Sequence, residues 1–112
     1  MERLRSSELK HRIRIEAETR EPNGQGGYTK GWAPHVSLWA KKIPLRGDEV
    51  TKDSIVRAVS TARFAIRHRS DITPLHRLVE VRSGRVWNIR SADDPYGNRD
   101  RLEIVAETGL AA

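Results

Sequence analysis

Cysteine is absent from this chain of 112 residues. That excludes a disulfide scaffold and a thiolate metal site, and it fits folding in a reducing cytoplasm. Aromatic residues make up only 5% of the chain, with one Phe, two Tyr and three Trp. No apolar run approaches the roughly 20 residues that cross a bilayer, so no membrane span is expected. The opening MERLRSSELKHR lacks the apolar stretch of a secretory signal. Catalytic signatures are missing as well: there is no Gly-x-Ser-x-Gly, no P-loop and no dinucleotide fingerprint. His11, His35, His68 and His76 never stand at i, i+4. Asp48/Glu49 and Asp93/Asp94 fall in turn-rich stretches, where carboxylates commonly shape turns. The expectation is therefore a protein without enzymatic activity, cofactor or metal.

What the chain does have is charge. Asp, Glu, Lys and Arg make up 32% of it, with a net charge of +6, and the mean hydropathy is -0.67 with a pI near 10.3. This length fits one domain over residues 1–112, with a small core and much polar surface. A basic surface suits either nucleic acid or an acidic protein.

Apolar residues recur with a period of two, which is the pattern of half-buried strands. In HRIRIEAET, Ile13, Ile15 and Ala17 share a face. REPNGQGGYTKG, from Arg20 to Gly31, reads as a flexible loop at the tip of a hairpin. In HVSLWAKKI, Val36, Leu38 and Ala40 oppose Ser37, Trp39 and Lys41. Pro44 and Gly47 are expected to end that strand. In VSTARFAIRHRS, Ala62, Phe64, Ile66 and His68 oppose Arg63, Ala65, Arg67 and Arg69. LVEVRSGRVWNIRSA reads as a hairpin with its turn at Ser83-Gly84, and RLEIVAET as a last strand with Leu102, Ile104 and Ala106 inward. The fold class expected is mainly β: a small antiparallel barrel or sandwich of about six strands. Ile13, Ile15, Val36, Leu38, Phe64, Ile66, Ile89, Leu102 and Ile104 should be buried together. Core packing is also the expected place of Trp32 and Trp39.

Two segments stand out as candidate sites. Pro44 to Ala58 interrupts the β pattern as a long loop or short helix and carries Arg46, Asp48, Glu49, Lys52, Asp53 and Arg57. Few large apolar groups accompany these charges, so order in this segment would come from contact with other chains, or else from Val50, Ile55 and Val56 packing a short helix onto the barrel. Arg63, Arg67 and Arg69 form a basic strand face. It suits a partner, DNA phosphates, or pairing with glutamates of neighbouring strands such as Glu16, Glu18 or Glu103. A small basic β-barrel that binds nucleic acid through its backbone is the alternative function. Against base recognition, Phe64, the aromatic on that strand, faces the other way.

An ordered set of short motifs runs through nearly the whole chain: Trp32, Trp39-Ala40, PLRGDE from Pro44 to Glu49, Arg67-His68-Arg69, and GRVWNI from Gly84 to Ile89. In this order they resemble the head–tail joining proteins of tailed phages, also called head-closure or stopper proteins, which prophages and gene transfer agents carry too. The resemblance implies a β-barrel subunit that assembles as a ring of six or twelve copies. Portal or adaptor proteins would lie above it and a tail-terminator protein below. It would help retain packaged double-stranded DNA in its channel and would reside at the head–tail interface of the virion after synthesis in the host cytoplasm. The loop between the second and third strands, here Pro44 to Ala58, would be the channel-closing element, with Trp39 on the strand at its base.

Overall fold

Short alternating segments produce six strands, as their spacing predicts. A computed structural model describes residues 4–45 and 60–108 of the chain. In chain order these hold β1 (His11–Pro22), β2 (Tyr28–Leu45), β3 (Ser60–Arg67), β4 (Arg77–Glu80), β5 (Val86–Asp93) and β6 (Arg101–Thr108), preceded by a 3-10 turn at Ser6–Glu8. All pairings are antiparallel. The strands close in the order β1-β2-β3-β6-β5-β4 into a barrel, which removes most of the exposed edge that an open sheet would leave. The expected loop or helix between β2 and β3 lies outside the described residues, apart from Pro44 and Leu45.

Two boundaries differ from the sequence reading. Arg20 to Gly31 is mostly strand: β1 runs to Pro22 and β2 begins at Tyr28, with pairs continuing through Thr19–Gly31, Arg20–Lys30 and Glu21–Thr29. The tip needs only residues 23–27. There Asn23 Oδ1 accepts hydrogen bonds from the backbone N–H of Gln25 and of Gly27, while Gly24 and Gly26 take positive φ. Pro44 does not end its strand. It lies one residue inside the end of β2, opposite Ala62, where a missing N–H disturbs the ladder little.

The core is built from the inward positions of every strand. Ile13, Ile15, Phe64, Ile66, Ile89, Leu102 and Ile104 are buried together, joined by Leu78, Trp87, Ile72 and the small Ala40, Ala62 and Ala106. Val36 and Leu38 pack against this cluster but are only half-buried. The cause is topological. β2 meets β3 only over Lys41–Leu45, so among the described residues its earlier part has β1 as its one strand neighbour. Burying side chains of this kind contributes about 1.5–3 kcal/mol each, and the T-shaped contact of Phe64 with Trp87, 5.3 Å between centroids, marks the centre.

Candidate interaction surface

Each arginine of the basic strand is engaged within the chain. Arg63 Nε lies 3.7 Å from Glu103, an ion pair without a hydrogen bond. Arg67 donates to the backbone oxygen of Leu4 and to Ser6 Oγ, so it straps the N-terminal segment to the barrel. Arg69, just past the end of β3, donates twice to Asp71, at 2.9 Å each. Those bonds, with a further one from His35 Nε2, hold the Asp71 carboxyl well below the usual carboxylate range. The structure thus brings Arg63 and Arg67 onto one strand and sets Arg69 beside the His35 region. Arg46, Asp48, Glu49, Lys52, Asp53 and Arg57 lie outside the described residues.

Two carboxylates that the sequence reading did not single out as buried are enclosed instead. Glu80, 4% exposed, sits on the inner face of β4, opposite Ile13. It accepts hydrogen bonds from Trp87 Nε1 at 2.7 Å and Lys42 Nζ at 2.9 Å, and His11 Nε2 lies 2.5 Å away. Burial pushes its carboxyl up, yet the bonds from Lys42, Trp87 and His11 outweigh burial and leave it below its ordinary value. Glu16 is handled alike on the outer side: Arg77 Nε donates to one oxygen at 2.7 Å and Arg14 Nε to the other at 2.8 Å. Again burial raises the carboxyl and the arginine bonds lower it further, with a net downward shift. Among the described residues, no group of three or more His, Asp or Glu is placed to hold a metal ion.

The tryptophans correct the sequence reading most clearly. Trp87 is 1% exposed, but Trp32 is 40% and Trp39 52% exposed. A regular strand would put residues seven apart on opposite faces. β2 is not regular: Val36 pairs with Ile15 and Pro34 with Glu16, so His35 is an extra, bulged residue. The bulge brings Trp32 and Trp39 to one face, opposite Glu18 and Arg12 respectively. A guanidinium covers each indole: Arg12 lies 5.1 Å from the centroid of Trp39 and Arg77 4.5 Å from that of Trp32. The sequence signal was Pro34 between the two tryptophans, because proline inside a strand marks an edge or a bulge.

Residues 4–109 match the model of the phage head completion protein family. No curated protein matches the chain. Among solved structures, it is similar to protein SF1141 from Shigella flexneri 2a, with 27% identity over 97% of this chain and 100% of that one and a TM-score of 0.75. It is also similar in fold to a chain from the virion of a native gene transfer agent particle, with 17% identity over 93% and 97% of the two chains and a TM-score of 0.64. With a closed six-stranded barrel and a family match that runs from the first described residue to the end of the last strand, this chain belongs to the phage head completion protein family.

Proposed function

We propose that this protein is a non-catalytic virion subunit that forms a ring between the portal or adaptor of the filled head and the tail, and helps retain the packaged DNA. The observation that carries the reading is the family match over residues 4–109. A closed barrel with long antiparallel strands supports it, since such a scaffold holds its shape while its outer faces meet other proteins. The whole chain acts as one domain. In this reading Arg46, Asp48, Glu49, Lys52, Asp53 and Arg57 line or close the channel, where mixed charge from one subunit can face the opposite charge of the next around the symmetry axis. Arg63, Arg67 and Arg69 would lie toward a neighbouring protein or DNA, with their charge already shared with Glu103, the N-terminal segment and Asp71.

The test is genetic and biochemical. Deleting Asp48 to Ser54 is expected to leave the barrel folded and incorporated into particles, while filled heads lose DNA before tails attach. Particles of normal DNA content and infectivity or transfer activity would refute the channel role. Heads from a strain that lacks the whole gene should package DNA yet fail to join tails, and the purified protein should restore joining. Tailed, active particles made without the gene would refute the joining role itself.

A further inference from the structure

We infer that the outward face of the β1–β2 ribbon, centred on Trp32 and Trp39, docks a carboxylate-bearing surface of a different protein. The inference rests on the reading above, in which a joining protein must meet unlike neighbours, and it supplies the chemistry of one such neighbour.

Three observations converge on this face. The first is exposure. The chain has three tryptophans and hides one of them, Trp87, completely, while Trp32 and Trp39 remain substantially in water. Large exposed apolar groups of this kind concentrate where another surface will cover them, and Trp with Arg dominates the energetics of such contacts. The second is geometry. Only the bulge at His35 puts both indoles on one side. Arg12 and Arg77 then lie against the rings, which holds ring and guanidinium in place before a partner arrives and reduces the ordering cost of binding. The planar guanidinium still offers N–H edges suited to paired carboxylate oxygens.

The third observation is charge. Arg12, Arg14, Lys30 and Arg77 share the face with Glu16 and Glu18, and Glu16 is held by Arg14 and Arg77. A positive excess remains, on a chain whose net charge is +6. A second copy that met it face to face would bring the same sign. A duplex backbone would offer phosphates to the arginines but no apolar surface to cover the two indoles. A protein surface with carboxylates interleaved among apolar groups satisfies both the arginines and the indoles.

The test follows the three indole N–H signals of the isotope-labelled full chain by NMR, each assigned with a single Trp→Phe variant. The probes are a 20-residue Glu/Leu peptide, its Lys/Leu counterpart, a 20-base-pair DNA duplex, and increasing concentration of the protein itself. The Glu/Leu peptide is expected to shift the Trp32 and Trp39 signals and leave Trp87 still. The shifts should weaken with added salt, and Arg12→Ala should weaken binding about tenfold. Shifts at Trp32 and Trp39 with the duplex or with protein concentration, but not with the acidic peptide, would overturn the inference in favour of DNA or a second copy. Absence of any shift at these two signals would overturn it outright. Because no virion component enters the titration, a chain that binds the peptide but fails to restore head–tail joining would refute the proposed function and not this face.

Discussion

Trp87 donates its indole N–H to Glu80 across 2.7 Å in the interior of the barrel. The bond joins β5 to β4, and the same carboxylate draws in Lys42 from β2 and His11 from β1. Four strands thus converge on one buried negative charge. Lys42 Nζ also lies 5.2 Å from the centroid of the Trp87 ring. Such a network is costly to leave half-satisfied, because a buried polar group that loses its partner keeps the full desolvation penalty.

Glu80→Ala should therefore destabilise the protein by about 3–5 kcal/mol, as expected when one partner of a buried ion pair is removed. Trp87→Phe keeps much of the ring and loses the donor, so a smaller loss of about 1–3 kcal/mol is expected from the unsatisfied carboxylate. Urea unfolding followed by fluorescence measures both. A Glu80→Ala midpoint equal to that of the natural chain would show that the network contributes nothing.

Phe64 is fully buried against Trp87 and His11. Phe64→Ala should cost about 3–5 kcal/mol, a large share of the roughly 5–15 kcal/mol that holds a domain of this kind folded. The expected result is a large drop in unfolding temperature or loss of the fold, read by circular dichroism. An unchanged transition would mean that the core repacks around the cavity.

Acid stability follows from Glu80 and Glu16, whose carboxyls both titrate below the ordinary 4.5 in the folded chain. Around and below that pH the unfolded chain takes up protons more readily, so stability rises with pH there. The contribution is fully present above about pH 4.5 and is lost as pH falls through the folded values. Chemical unfolding between pH 3 and 7 should show this slope, with a shallower fall in Glu80→Gln. An equal slope in that variant would assign acid sensitivity to other carboxylates.

Arg67 holds the N-terminal segment through Leu4 and Ser6, and the Leu4 N–H donates to Asp100 Oδ2 at 3.0 Å. Arg67→Ala should accelerate hydrogen exchange at the Leu4 amide about tenfold or more, as local opening becomes easier, while exchange in the barrel strands changes little. Uniform acceleration through Phe64 and Ile104 would instead make Arg67 part of the global fold.

The strands of this protein were legible because alternation is a local signal. Ile13 and Ile15, Phe64 and Ile66, and Leu102 and Ile104 each announce an inward face from two or three neighbouring residues, and the Ser83-Gly84 turn is set by its own residues. The resemblance that pointed to head–tail joining was legible in the same way, as short motifs in a fixed order. The pairing of Arg63 with Glu103 was open among several glutamates until the strand order placed β3 beside β6.

What sequence alone determined, then, is the number of strands, the inward side of most of them, and a charge balance that suits nucleic acid and acidic protein alike. Tertiary structure decided what those strands do to one another. A register shift at His35 is invisible to a pattern of period two, yet it reverses the side on which Trp32 appears and puts it in line with Trp39. Glu80 reads locally as one more acid near a turn. Only closure of β4 against β1 and β5 turns it inward to meet His11, Lys42 and Trp87. The physical reason is the range of the forces. Alternation reflects each residue's own preference for water or core, whereas burial of a charge and exposure of an indole depend on groups brought together from distant parts of the chain.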